Sequence, residues 1–330
     1  MERIGLIGTG GSIATFGRHA LDLHGYGAHA TPSELDRLLD TFRPLLGDFD
    51  IVPVSFRTID SVAMDPTTWI ALDRAIASAL AADPSMRGIV VTHGTSTLEE
   101  TAYFLHLASK ASIPIVVVGS QRPPNALGSD AGINLLNAFR VAASPVARDL
   151  GVLVAMDGEI HCARDVTKTS NFALDAFRSP GIGPLGRIDP DGRVVVDRRP
   201  LRRHAPDTEF DVASVAELPS VEIVACYAGA SAIAVDAFVA ARVRGIVFAG
   251  TPPGRPSPAQ RAALAEAVRH DVLVVQCSRA SGAIVTRDDD HAQGFIGADT
   301  LTPQKARVLA MLALSRTRDR DSIARMFREY

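Results

Sequence analysis

The first residues of this chain able to do chemistry lie almost at its start, in "LIGTGGSIATFG" at 6–17. Apolar residues lead into a glycine pair, and three hydroxyls surround it: Thr9, Ser12 and Thr15. Such a turn can cradle a phosphate or seat a nucleophile. The phosphate reading asks for G-x-G-x-x-G or for a turn ending in G-K-[ST]. Here Ile13 occupies the third glycine position, and no lysine follows. The nucleophile reading gains from a second feature. Lys and Arg together number 34, yet only Lys110, Lys168 and Lys305 are lysines. Arginine keeps its proton in proteins, whereas a desolvated lysine can give its proton up and act as a base. Lys168 sits among small hydroxyl residues in "ARDVTKTSNF", just beyond an apolar run. A hydroxyl–lysine pair is one way to activate an alcohol; the plainer alternative is a surface lysine.

Elements must position these groups, and the sequence shows which. Seven short, nearly all-apolar runs recur: "ERIGLIG", "GIVVTHG", "PIVVVGS", "GVLVAMDG", "VEIVACY", "GIVFAGT" and "DVLVVQC". Parallel strands buried on both faces read this way. Helical patterns such as "PTTWIALDRAIASALAA" and "SPAQRAALAEAVRH" fall between them, opening on Pro, Ser or Thr. The alternation predicts an α/β protein: a larger N-terminal α/β domain with a mainly parallel sheet, and a smaller C-terminal α/β domain with a parallel sheet. The polar, Arg-rich and Pro-punctuated stretch around 197–218 reads as a solvated linker. The expected division is therefore 1–196, linker 197–218, and 219–330. Ligands bind beyond the carboxyl ends of strands in such sheets. In the N-terminal half those ends carry "GTGGSIA", "HGTSTLEET" and "SQRPP", a plausible shared pocket.

Composition excludes several classes. The 330 residues carry a net charge of −3, which argues against a nucleic-acid or anionic-membrane surface. No apolar run is long enough for a signal peptide or a bilayer span, so a cytoplasmic enzyme is expected. Cys162, Cys226 and Cys277 are isolated and show no metal or redox spacing. His19, His24 and His29 are grouped, but they lack metal-ligand spacing, and no metal or cofactor is expected. Glu99 and Glu100 suit the first turn of a helix, where the dipole favours them. His93, at a strand end, reads as a structural hydrogen-bonding residue rather than a base.

"TGGSIA", "VVTHGTSTLEETAYFL", "GVLVAMDG…ARDVTKT" and "LTPQKARVLAMLAL" occur in this order over nearly the full length. Together they resemble the bacterial-type L-asparaginase/glutaminase family. The resemblance implies hydrolysis of a side-chain amide through an acyl-enzyme, without metal or cofactor. It also implies a homodimer or homotetramer with active sites near subunit interfaces. Carried over residue by residue, the nucleophile falls on Ser12, where the family normally has Thr. The activating tyrosine matches Tyr26, the second hydroxyl Thr95, and its lysine partner Lys168. Ser61 matches the residue that grips the substrate's α-carboxylate, with Val62 beside it. Backbone amides near Gly11, Thr95 and Ser120 are candidates for holding the oxyanion.

Departures cluster at the substrate's amine. Ser96 stands where the family typically has Asp, Val62 where it is commonly polar, and Pro253 near a place often held by Asn. No clear match exists for a glutamate lent across the interface, although Asp288 or Asp289 could substitute. The expected function is ammonia release from L-asparagine or an asparagine-like amide. The alternatives are an amidase for an amine-free or N-acylated analogue, and a catalytically weak binding protein of the same fold.

Overall fold

A computed structural model describes residues 1–26, 34–284 and 286–330. The chain forms two compact units, Met1–Ser214 and Val215–Tyr330.

The first unit opens with β1 (Glu2–Gly8), α1 (Glu34–Phe42), β2 (Phe49–Val54), α2 (Pro66–Ala82) and β3 (Gly88–Thr92). It continues with α3 (Leu98–Ala108), β4 (Ile115–Val118), α4 (Ala131–Ala143), β5 (Val152–Met156) and β6 (Glu159–Cys162). Short strands β7 (Thr167–Lys168), β8 (Phe177–Arg178), β9 (Gly186–Ile188) and β10 (Val194–Val196) follow. The main sheet runs β10-β9-β6-β5-β4-β3-β1-β2, with β7 and β8 paired separately. Strands β1 to β5 are parallel, whereas β6, β9 and β10 join antiparallel. Every residue of β3, β4 and β5 is buried, which explains their unbroken apolar sequences. At the edge, β2 is only half-buried and carries Pro53, whose missing N–H an edge strand tolerates.

Local chemistry fixes the helix starts. Asp65 caps α2 by accepting from the Thr68 amide at 2.7 Å, and Pro66 takes the first helical position. The first turn of α3 is tied outward instead: the Thr97 hydroxyl donates to the Ser61 carbonyl at 2.7 Å.

The polar stretch after β10 is fastened to this unit. The Ala205 amide donates to the His106 carbonyl at 2.8 Å, the Thr208 hydroxyl donates to the Leu107 carbonyl at 2.6 Å, and Phe210 and Val212 are buried.

The second unit holds β11 (Val221–Ala225), α5 (Ile233–Ala240), β12 (Gly245–Gly250), α6 (Pro258–Arg269) and β13 (Leu273–Ser278). It ends with α7 (Asp288–Ala292), β14 (Ile296–Gly297), α8 (Pro303–Arg316) and α9 (Arg320–Glu329). Its sheet, β11-β12-β13-β14, is parallel throughout. Ile246, Phe248, Val274 and Phe295 centre its core. Among the described residues, no helix is long and apolar enough to cross a membrane.

Candidate active site

Strand order places the site. From β1 the chain goes first to β2 on one side, then crosses to β3 on the other. That reversal opens a crevice beyond the carboxyl ends of β1 and β3. The two ends are stitched together, because the Thr9 amide and hydroxyl both donate to the Thr92 carbonyl, at 3.0 and 2.9 Å.

The glycine pair permits contact between backbones. Gly10 and Gly11 have φ of 103° and 90°. A Cβ built on Gly11 would lie 2.2 Å from the Gly94 Cα. A side chain there is sterically impossible without moving a strand end. The turn thereby carries Ser12 to the crevice, where its hydroxyl donates to the Ser120 carbonyl at 2.7 Å. The loop bearing Ser120 is itself held, since the Gln121 and Arg122 amides donate to the Asp130 carboxylate at 2.9 and 3.0 Å.

On the facing turn, Thr95 meets the lysine. Lys168 Nζ lies 2.7 Å from Thr95 Oγ1, while the Lys168 amide donates to Glu99 Oε2 at 2.8 Å. Burial pushes the Lys168 ammonium below its ordinary range, and the Glu99 carboxylate opposes that shift. Ser61 approaches from a third side: a Cβ built on Gly94 would lie 2.6 Å from its hydroxyl. Asp60 caps the turn carrying Ser61 by accepting from the Val62 amide at 3.2 Å.

These elements enclose a cavity of about 310 Å³. Ser12, Tyr26, Ser61, Thr95, Ser96 and Lys168 share its wall, and Gly11 contributes backbone. Two predicted residues stand apart. Val62 lies outside the lining and is 71% exposed, while Ser120 is buried behind it and reaches Ser12 through its carbonyl. His24 lines the cavity and His19 is exposed. His29 falls outside the described residues. Among the described residues, no group of three His, Cys, Asp or Glu side chains is placed to hold a metal ion.

Sequence reasoning passed over three contributors. Asp60 is the only carboxylate residue of the described lining. Gln121 also lines the cavity and donates through Nε2 to the Ala173 carbonyl at 2.9 Å, tying the 171–173 segment to the wall. Glu99 reaches Lys168 across 69 residues of sequence. Asp60 and Gln121 lay inside stretches already marked by their hydroxyls, but neither has a spacing that announces a site.

Comparison with known proteins identifies the family and the fold. Residues 3–202 match the family described as "Asparaginase, N-terminal", and residues 220–327 match the "Glutaminase/Asparaginase C-terminal domain". A glutaminase-asparaginase of Pseudomonas fluorescens biotype A is 39% identical, the match covering 100% of this chain and 91% of the relative. L-asparaginase 2 of Escherichia coli K12 is 37% identical, over 100% of this chain and 94% of its own. The crystal structure of a probable cytoplasmic L-asparaginase from Campylobacter jejuni superposes with a TM-score of 0.94 at 37% identity, covering 100% of both chains.

Proposed function

This chain belongs to the asparaginase family of amidohydrolases, and from that premise we propose that it hydrolyses the side-chain amide of L-asparagine or a close relative through an acyl-enzyme on Ser12. One observation carries the reading: a half-buried lysine, Lys168, touches a hydroxyl, Thr95, on the same cavity wall as Ser12.

In the first half-reaction Ser12 Oγ attacks the amide carbon. The Ser120 carbonyl that Ser12 contacts at rest accepts a hydrogen bond but is no base. As the family resemblance implies, the proton passes through the Tyr26 hydroxyl onto the amide nitrogen, and Tyr26 lines the same cavity. The C–N bond breaks and ammonia leaves, with the acyl group now esterified to Ser12. In the second half, neutral Lys168 draws a proton from water through the Thr95 hydroxyl. Water adds to the ester carbon, and the proton returns to Ser12 Oγ as the acid departs. Backbone amides at Gly11 and Thr95 face the developing oxyanion. Acid–base assistance contributes roughly 10²–10⁴-fold and each oxyanion donor about 10²–10³-fold, so the rate rests on the group.

Ser61 takes the substrate's α-carboxylate. Ser96 brings no charge to the wall, so Asp60 is the partner for an α-ammonium. The subunit assembles as a homodimer or homotetramer in the cytoplasm. Assay of ammonia release tests the assignment. Ser12→Ala should lose about 10³-fold or more in kcat while keeping its fold, and Ser12→Thr should remain active. Undiminished turnover in Ser12→Ala would move the nucleophile to Thr95 or Thr15.

A further inference from the structure

We propose that His93 is a positioning residue for the Thr95 side of the site, held by a one-way hydrogen-bond relay that runs Trp69, Thr101, His93, Gly94. Trp69 Nε1 lies 2.8 Å from Thr101 Oγ1, Thr101 Oγ1 lies 2.9 Å from His93 Nε2, and His93 Nδ1 lies 2.8 Å from the Gly94 carbonyl. All three side chains are buried.

Both ends of this relay have a single polarity. An indole N–H can only donate, and a carbonyl oxygen can only accept. The His93 proton therefore sits on Nδ1. Burial holds the ring neutral, with a pKa lowered to about 4, so Nε2 carries a lone pair and must accept. Thr101 then donates to His93 and accepts from Trp69. No other arrangement of the protons satisfies the four groups.

The consequence reaches the cavity through one peptide unit. The Gly94 carbonyl and the Thr95 N–H belong to the same plane and point in opposite directions. Fixing the carbonyl on His93 directs the Thr95 amide away from the ring. Sterics remove the remaining slack. The Gly94 backbone abuts Gly11, its α-carbon faces the Ser61 hydroxyl, and a Cβ built on Gly119 would lie 2.9 Å from the His93 carbonyl and 3.0 Å from Thr95 Cγ2. The strand end is wedged between the turn of Ser12, Ser61 and Gly119. Rotation of the 94–95 peptide is the freedom left, and the imidazole controls it.

The catalytic consequence rests on the roles proposed above for Ser12 and Thr95; the ring's proton position does not. Two measurements on the full-length protein separate them. Nitrogen-15 NMR of labelled imidazoles should show His93 as the neutral Nδ1–H form, without titration across the activity range. A ring protonated on Nε2, or one titrating near the ordinary histidine value, would overturn the relay. For catalysis, Thr101→Val should lower kcat for L-asparagine about tenfold with KM within about twofold, below the roughly 10²-fold that a 1 Å misplacement costs. Thr101→Ser, which keeps the hydroxyl, should stay within about twofold of wild type in both. Equal kcat in the two variants would contradict positioning by the hydroxyl. Should Thr101→Val fail to fold, Trp69→Phe removes the terminal donor and should shift the His93 resonances and lower kcat in the same direction. If the wild type releases no ammonia from any side-chain amide, the proposed function fails, and the NMR result still decides the relay.

Discussion

The two units are built on a mainly parallel and a parallel sheet, and among the described residues the candidate site is lined from the strand ends of the first. Strand order accounts for the difference. In the second unit β11, β12, β13 and β14 are laid down in sequence, so every crossover goes the same way. In the first, the chain leaves β1 in one direction and returns in the other. Polar groups around β13 of the second unit, on the strand itself and on α6 and α7, pair with protein groups. Gln276 Nε2 donates to the Gly254 carbonyl at 2.8 Å, and Asp290, wholly buried, pairs with Arg261. The corresponding groups of the first unit face a cavity instead. A parallel sheet supplies the scaffold; a reversal of its winding supplies the crevice.

Glycines give the sharpest test of that contrast. Gly11 and Gly229 both have positive φ, at 90° and 77°. A Cβ on Gly229 meets nothing within 4 Å, whereas one on Gly11 would strike the Gly94 backbone. Gly229→Ala should cost about 1 kcal/mol and leave kcat alone. Gly11→Ala should cost about 3 kcal/mol or more, adding overpacking to strain, and should abolish ammonia release. Denaturant melts and the ammonia assay read both. Similar behaviour of the two variants would dissolve the distinction.

Carboxylates sharpen it further. Asp60→Asn should reduce kcat/KM for L-asparagine about tenfold, an exposed charge contact being worth little more than 1 kcal/mol. It should leave succinamate, which has no amine, nearly unaffected. Asp290→Asn should instead cost about 2 kcal/mol of stability, because it strands a partly buried arginine, and should not alter the preference between the two amides. An unchanged preference in Asp60→Asn would mean that the α-ammonium is recognised elsewhere or not at all.

The smallest expected effect concerns pH. Burial depresses Lys168 and Glu99 partly restores it, since a nearby negative charge favours the ammonium. If neutral Lys168 is the competent form, activity rises as pH climbs through its pKa. Glu99→Gln removes the restoring charge, so the midpoint of that acidic limb should move to lower pH. A midpoint that moves to higher pH in the pH–rate profile, or does not move, would contradict the coupling.

How much of this was legible in sequence depends on where the determinants lie. The apolar runs became β1, β3, β4, β5, β12 and β13, largely buried strands that leave a continuous hydrophobic signature, and the partly buried edge strand β11, whose run is broken by Glu222. β2 and the antiparallel β6, β9 and β10 left none, being short, mixed in burial or interrupted by Pro53. Phe210 and Val212 anchor a stretch otherwise rich in charge, too sparsely for any periodicity to show. At the site, hydroxyls in glycine-containing turns marked the strand ends, and the family resemblance singled out Ser12 and Thr95 among them. Glu99 read as a helix-dipole residue and His93 as a structural hydrogen-bonding residue. The partner of Glu99 lies 69 residues away, and the full relay through His93 begins on α2, so neither arrangement exists in local sequence.

The central claim is that Ser12 carries the acyl group and that Thr95 with Lys168 removes it. Lys168→Met keeps much of the side-chain volume and takes away the base. Mixed with L-asparagine, quenched and weighed by mass spectrometry, this variant should accumulate the acyl adduct on the peptide containing Ser12, with ammonia released in a burst matching the adduct. Ammonia release without an adduct, or an adduct mapped to Thr95, would contradict the account.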